Sequence, residues 1–201
     1  EDVLEVYKRP YDSRRPVVCL DETSKQLIGE VRTPVPGAPG QIAQYDCEYV
    51  RNGVANLFMI SEPLAGQRDV EVTDRRTKKD YARCLQKIAD EMYPEAEGIV
   101  VVQDNLNTHS PASLYEAFEP AEAKRLADRF EFHYTPKHGS WLDVAEIMIG
   151  IMNRQCLSRR MGEVHEVREE VAAWESDGNE HCQPVHWHFT ANDARIKLKR
   201  L

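Results

Sequence analysis

The stretch Gly98-Ile-Val-Val-Val-Gln-Asp-Asn-Leu-Asn-Thr-His109 joins a short apolar run directly to a cluster of polar side chains. The run at residues 99–102 is too short for a helix and is apolar on both sides, which predicts a central strand covered on two faces. The run stops at Asp104, and two amides and an imidazole follow it: Asn105, Asn107 and His109. Open α/β sheets carry their chemistry at the carboxyl ends of such strands, although an Asx-turn that only closes the strand explains the same residues.

Two other carboxylates favour the chemical interpretation. Residues 16–20 form a second apolar run, and we expect that strand to end at Asp21. Glu146 lies one turn into a predicted helix whose apolar stripe recurs at helical spacing: Leu142, Ala145, Ile149, Met152 and Cys156. Asp143 and Asn153 share another face of that helix with Glu146, because this spacing keeps residues on one side.

The patterns around these residues predict a mixed sheet. Residues 1–15 are polar and charged, and we interpret them as a linker or arm. Residues 45–49 alternate as in a half-buried strand, and two more strands are predicted at 54–60 and 69–72. Helical periodicity begins after a capping box of Thr77 with Asp80. Beyond the strand at 99–103, helices near 111–117 and 120–129 precede a last strand at 130–134.

This order indicates an α/β fold with a mixed five-stranded sheet flanked by helices. Acidic residues at adjacent central strand ends, and on a helix crossing them, resemble the ribonuclease-H-like plan. We expect residues 16–160 to form the core and residues 161–201 to form a helical C-terminal extension of the same domain.

Composition sets the broad class of protein. At 201 residues, with 41% hydrophobic and 30% charged residues, the chain suits one globular domain, and no apolar run approaches the length of a membrane span. Its five scattered cysteines, none in a CxxC pair, indicate a reducing cytoplasm. The net charge of −8 argues mildly against a free-standing nucleic-acid binder, although basic pairs can still form positive stripes. We see no signal-peptide pattern at the start of the sequence, and because it starts with Glu1 rather than Met, we expect a trimmed fragment of something longer.

Three converging carboxylates predict divalent metal. Without cations they would repel one another, and one of them would have to hold a proton. Oxygen-only ligands suit Mg²⁺ or Mn²⁺ rather than zinc. A pair of such ions about 3.5–4 Å apart supports in-line phosphoryl transfer, and the ions would also reconcile an acidic centre with a polyanionic substrate.

The motifs also carry a family resemblance. Residues 18–22 (VCLDE), 101–109 (VVQDNLNTH) and 134–146 (YTPKHGSWLDVAE) together resemble the catalytic core of mariner-related bacterial insertion-sequence transposases of the DDE superfamily. The resemblance runs from about residue 16 to the C-terminus. It implies that Asp21, Asp104 and Glu146 are the catalytic, metal-binding triad of a DNA endonuclease and strand transferase.

Such enzymes hydrolyse the transposon end to a 3′-hydroxyl, which then attacks target DNA. The resemblance thus implies DNA as partner, a homodimer in a synaptic complex and a cytoplasmic, nucleoid-associated location. Position 143 is Asp where the family motif often has Asn, and the interval from Asp104 to Glu146 is a few residues longer than is common. The helix-turn-helix domains that normally precede this core are not in this sequence, which leaves recognition of specific DNA open.

Several neighbours are candidates for contacts with DNA or with a metal ligand: Asn105, Asn107, His109, Lys137, His138, Asp143 and Asn153. Turn formation explains the asparagines nearly as well, and a solvated loop explains Lys137 and His138. For Asp143, a capping box that it forms with Ser140 is favoured over a contact with the metal site. Strand alternation should point Glu22 away from Asp21, in a structural role.

Other functions remain open from the sequence. His181, Cys182, His186 and His188 invite a zinc site, but their spacing matches no common finger, and Trp187 and Phe189 suggest local packing. A serine hydrolase is disfavoured because the sequence has no GxSxG elbow. The rivals to a transposase are a catalytically silent relic that acts by binding or dimerisation, and a ribonuclease-H-like nuclease outside transposition.

Overall fold

One mixed sheet of five strands organises the molecule, in the spatial order β3-β2-β1-β4-β5. The computed structural model describes residues 1–137 and 139–197. The strands are β1 (Val17–Glu30), β2 (Tyr49–Glu62), β3 (Gln67–Thr73), β4 (Ile99–Gln103) and β5 (Phe130–Tyr134). The helices are α1 (Asp2–Val6), α2 (Lys78–Lys87, continued by a π-helical turn, Ile88–Met92), α3 (Ala112–Ala117), α4 (Pro120–Ala127), α5 (Val144–Gln155), α6 (Val164–His181) and α7 (Ala191–Lys197).

The central strand β1 has two different partners. It pairs in parallel with β4 from Val17 to Leu20, and Leu20 lies opposite Gln103 at the end of that ladder. On its other side β1 pairs antiparallel with β2 along a much longer ladder that reaches Glu30. The expectation that the first strand ends at Asp21 is therefore wrong. The parallel neighbour ends there, while the hairpin with β2 keeps β1 extended for nine more residues, Glu22 to Glu30.

The two faces of the sheet are covered by separate hydrophobic cores, as the apolar run of β4 predicted. Residues 99–102 are at most 1% exposed. Val100 and Val102 face one core, which is completed by side chains of α1, α5 and α6. Val101 faces the other core, formed with α2, α3 and α4. Burial on both sides is what a β-branched run without polar alternation requires.

The N-terminal segment is part of the first of these cores. Val3, Leu4 and Val6 of α1 are at most 3% exposed and pack in the cluster that contains α5. The prediction of a linker or arm over residues 1–15 therefore fails for its first turns. Three apolar residues among charged neighbours are too few for a periodicity signal, and only the tertiary contact orders them.

Other local predictions have mixed outcomes. Thr77 and Asp80 form the predicted capping box at the start of α2. The half-buried strand predicted at residues 45–49 is wrong, because Tyr45 and Cys47 lie in an exposed loop and β2 begins only at Tyr49. Among the described helices, none is both long and apolar enough to cross a bilayer.

Candidate active site

Asp21 and Asp104 are neighbours across the β1–β4 pair. Each is the residue that follows the last rung of the parallel ladder, Leu20 opposite Gln103. Cys19 and Val102, two positions earlier on each strand, both belong to the core that contains α5. Because side chains alternate along a strand, this register sends both carboxylates to the α5 side of the sheet.

The surroundings of Asp21 disfavour its charged form. Burial, with smaller contributions from the charges of Asp104 and Glu22, raises the pKa of Asp21 to about 7. The Glu22 backbone N–H acts in the opposite direction, since it donates to Oδ1 of Asp21 at 2.8 Å. A raised pKa of this kind is expected where a carboxylate is buried close to other carboxylates.

Asp143 forms the start of α5 beside these two residues. It is the N-cap of the helix, and its Oδ1 accepts a hydrogen bond from the Ala145 N–H at 2.9 Å. Its other oxygen, Oδ2, is buried and has no hydrogen-bond partner among the described residues. Burial raises the pKa of Asp143 well above its usual range, and the charge of Asp21 adds to the shift, followed further on by Asp104 and Glu146.

The start of α5 bears on two predictions, the capping box at Asp143 and the placement of Glu146. Because the helix begins after Asp143, Asp143 is itself the cap rather than the third residue of a capping box begun by Ser140. Glu146 lies in the first turn of α5, as expected, with an exposed side chain. The charges of Asp21, Asp104 and Glu146 all contribute to raising the pKa of Asp143.

His109 holds Asp104 from the opposite side. The imidazole side chain is fully buried; its Nδ1 is hydrogen-bonded to Oδ1 of Asp104, and its Nε2 lies 2.5 Å from Oε2 of Glu22. The contact with Glu22 is a close ion pair rather than a well-aligned hydrogen bond. Burial alone would lower the pKa of His109, but the contacts with Asp104 and Glu22 outweigh it and raise the pKa to about 10.

Glu22 is the residue of this site that sequence reasoning did not select. It points away from Asp21, as alternation predicted, but there it meets a histidine that also touches Asp104. The sequence did contain a signal. Val18 and Leu20 face the α2–α4 core, and Glu22 is the next residue on the same face of β1. A buried carboxylate in such a series requires a cationic or donor partner.

The other candidates are less informative. Asn105, Asn107, Lys137 and Asn153 are exposed, so the structure leaves their proposed contacts with DNA as predictions. His138 lies outside the described residues. The histidines and cysteine at 181–188 form no metal-holding group in the described part of the chain. Trp187 instead packs against Tyr7, with 5.1 Å between ring centroids, in agreement with the local packing expected there.

The donor set fits a hard divalent cation. Asp21 and Asp104 each accept their hydrogen bonds on Oδ1, so the described residues leave Oδ2 of both to another ligand. Oδ2 of Asp143 is buried and unpartnered beside them. As the side chains stand, no three His, Cys, Asp or Glu residues within 1–137 and 139–197 are grouped closely enough to surround a metal ion. The carboxylates therefore supply the right chemistry, and metal binding requires them to close together.

Known structures share this fold. The Mos1 strand transfer complex matches with a TM-score of 0.57 at 14% identity, over 90% of this chain and 55% of that chain. The Mos1 mariner paired end complex with Mn matches with a TM-score of 0.56 at 15% identity, over 90% of this chain and 56% of the other. The corresponding complex with Mg gives 0.57 at 16% identity, over 90% and 53%.

The present chain thus spans a little over half the length of these chains, and the similarity confirms the ribonuclease-H-like fold. A search of curated proteins finds no significant match. The family profile described as "DDE superfamily endonuclease" matches residues 16–168, which include Asp21, Asp104 and Glu146. The chain therefore belongs to the DDE superfamily endonucleases.

Proposed function

We propose that this chain is the catalytic domain of a transposase, a metal-dependent DNA endonuclease and strand transferase. The observation that carries the proposal is the register of β1 and β4, which sets Asp21 beside Asp104 under the start of α5. Membership of the DDE superfamily supports it. The Mos1 structures, described as paired-end and strand transfer complexes, support DNA as the substrate class.

In this proposal Asp21, Asp104 and Glu146 bind two Mg²⁺ or Mn²⁺ ions. When bound, such ions activate an attacking oxygen and stabilise the leaving oxygen of a phosphodiester. The chain itself contributes the negative charge that attracts the cations, and Asp21 would give up its proton as they bind. The α5 N-terminus brings Glu146 to the site on a capped, rigid turn.

The substrates that we propose are transposon ends and target DNA, bound by a homodimer in a synaptic complex. The exposed residues Asn105, Asn107, Lys137 and Asn153 lie on the segments that border the carboxylates and are candidates for phosphate contacts. Affinity for DNA should then fall steeply with salt, because phosphate contacts release counterions. An affinity that is flat in ionic strength would contradict this part of the proposal.

The test is nicking of supercoiled plasmid by the purified chain with Mg²⁺ or Mn²⁺. Asp104→Asn should reduce nicking by about 100-fold or more while the far-UV spectrum, which reports the fold, stays near wild type. Asp128→Asn, which removes an exposed carboxylate paired with Lys124 on α4, is the matched control and should nick normally. Nicking that survives in Asp104→Asn would remove the assignment.

A second assay separates the rival functions. An oligonucleotide with a free 3′-hydroxyl should become joined to plasmid DNA when metal is present. Cleavage of branched DNA without joining would indicate a nuclease outside transposition. A folded chain that binds no Mn²⁺ and forms a stable oligomer would indicate the silent relic.

A further inference from the structure

A buried histidine links a carboxylate of the proposed site to a carboxylate outside it. Nδ1 of His109 meets Oδ1 of Asp104, and Nε2 faces Oε2 of Glu22 at 2.5 Å. The exposed fraction of the side chain is 0% for His109 and 5% for Glu22, but 31% for Asp104. The imidazole therefore separates a dry carboxylate from one that reaches solvent and the site.

The histidine is held on its remaining sides. Its ring packs against Tyr81, with 4.9 Å between centroids, and Tyr81 donates through Oη to Gln103 Oε1 at 2.7 Å. Gln103 in turn donates through Nε2 to the His109 carbonyl at 3.2 Å. The His109 backbone N–H donates to the Leu106 carbonyl at 3.0 Å, within the turn that follows β4. The ring and the carbonyl of His109 are thus both held by buried side chains, Tyr81 and Gln103, on the α2 side of the sheet.

The Asp104 carboxylate is consequently oriented before any ligand arrives. Oδ1 accepts from His109 and, at 3.2 Å, from the Leu106 N–H, whereas no described residue donates to Oδ2. A carboxylate anchored through one oxygen offers the other in a fixed direction. Partners that orient a ligand from behind in this way typically change metal affinity by about 10–100-fold when they are removed.

We propose that Glu22 and His109 are positioning residues: Glu22 fixes the His109 ring, and the ring holds Oδ1 of Asp104, so that Oδ2 is presented to the metal ion. The inference rests on the proposed function, because it treats Asp104 as a metal ligand. A purely stabilising role explains the arrangement poorly, since a buried ion pair is often no more stabilising than apolar residues of the same volume.

Glu22→Gln is the sharpest test, because it keeps the shape of the side chain and removes its charge. Glu62→Gln is the matched control. Glu62 is also a buried carboxylate of the sheet, 5% exposed, and it accepts a hydrogen bond from Tyr93 Oη at 2.9 Å. It lies four residues along β2 from Phe58, the partner of Glu22, and outside the proposed site. Any general effect of neutralising a buried glutamate should appear in both variants.

The first readout is Mn²⁺ binding by the metal-free chain. Glu22→Gln should raise the Mn²⁺ dissociation constant by roughly tenfold, and Glu62→Gln by less than about twofold. Nicking by Glu22→Gln should return towards the wild-type rate as Mn²⁺ is raised, since the chemical groups themselves are intact. Equal Mn²⁺ affinities in the two variants would overturn the proposal.

The second readout does not depend on metal or activity. In ¹⁵N NMR of the metal-free chain, both ring nitrogens of His109 should carry slowly exchanging protons, with His109→Gln used for assignment. Asp104→Asn should shift the Nδ1 signal, and Glu22→Gln the Nε2 signal, while Glu62→Gln moves neither. If the wild type binds no Mn²⁺ but shows this pattern, the proposed function fails, while the contacts of His109 with Asp104 and Glu22 are confirmed. A freely exchanging His109 ring would refute those contacts and with them the positioning role of Glu22 and His109.

Discussion

Tyr7 donates a hydrogen bond through its hydroxyl to the carbonyl of Leu142, at 2.7 Å, across 135 positions of sequence. Leu142 precedes Asp143, the N-cap of α5. The residue after α1 therefore fixes the turn from which Asp143 and Glu146 project. Burial raises the pKa of Tyr7 far above its usual range, so the hydroxyl remains a donor at any pH in use.

Tyr7→Phe should lower the free energy of unfolding by about 1 kcal/mol, because it leaves the buried Leu142 carbonyl without this donor. Chemical denaturation measures the change. Tyr115→Phe, at an exposed position of α3, is the control and should be neutral. Equal stabilities of the two variants would show that α1 does not support the start of α5.

Two substitutions of Asp143 should differ in their effect on stability. Asp143→Asn keeps an oxygen that can cap α5, but it removes a carboxyl group whose pKa is raised by burial and by the charge of Asp21. Asp143→Ala removes the cap as well, which should lower stability by about 1 kcal/mol. At about pH 8 without metal, the Asn variant should be at least as stable as wild type. An Asn variant less stable than the Ala variant would contradict the capping role.

Asp21 should make the metal-free protein less stable as pH rises. Its native pKa of about 7 lies above the ordinary value of 3.8, because burial and neighbouring carboxylates disfavour the charged form. The native state binds the Asp21 proton more tightly than the unfolded state does. The resulting contribution to the free energy of unfolding is therefore fully present below about pH 4 and is lost as the pH rises through about 7. Asp21→Asn does not titrate.

The expected result is therefore a stability advantage of Asp21→Asn over wild type that is larger at about pH 8 than at about pH 4.5, in the presence of EDTA. Thermal or chemical unfolding at both pH values gives the comparison. Added Mn²⁺ should remove the advantage by stabilising only the wild type. An advantage that does not depend on pH would mean that Asp21 ionises normally.

Two helix glycines should respond oppositely to alanine. A Cβ on Gly178 of α6 would lie 1.9 Å from the Arg68 guanidinium carbon, and Arg68 there stacks on the Trp174 ring at 3.3 Å. A Cβ on Gly150 of α5 meets nothing closer than 3.7 Å. Gly150→Ala should therefore raise the free energy of unfolding by about 0.5–1 kcal/mol, the usual helix effect.

Gly178→Ala should lower stability instead, because Arg68 must leave its stack on Trp174. Thermal unfolding of both variants is sufficient as a measurement. The double variant with Arg68→Ala provides the check, since it should remove the penalty. A stabilising Gly178→Ala would show that Arg68 moves aside without loss.

What could be predicted from the sequence depended on uninterrupted apolar runs. The run at 99–102 and the run at 16–20 gave the two central strands, and with them the neighbourhood of Asp21 and Asp104. The outer half of β1 carries no such signal, because its mixed polar residues pair only with β2. α1 was missed for a similar reason, since its three apolar residues are ordered only by tertiary packing.

The sequence indicated that Glu22 needs a partner but not that the partner is His109, because this contact depends on the register between a strand and a loop 87 positions apart. Asp104 and His109 were both visible as polar residues after a strand, but turn formation explained them equally well. The metal site also stays a prediction. Asp21 and Asp104 are neighbours, but among the described residues no three potential metal ligands lie close enough together to hold an ion.

Contacts among Tyr81, Gln103 and His109 connect one side of the sheet to Asp104 on the other side. The layer of α2, α3 and α4 carries none of the three predicted catalytic carboxylates, yet Tyr81 of α2 packs on the imidazole that contacts Asp104. Under the proposed function, substitutions at Tyr81 would therefore alter metal affinity from the far side of the sheet, without changing any residue that DNA would touch.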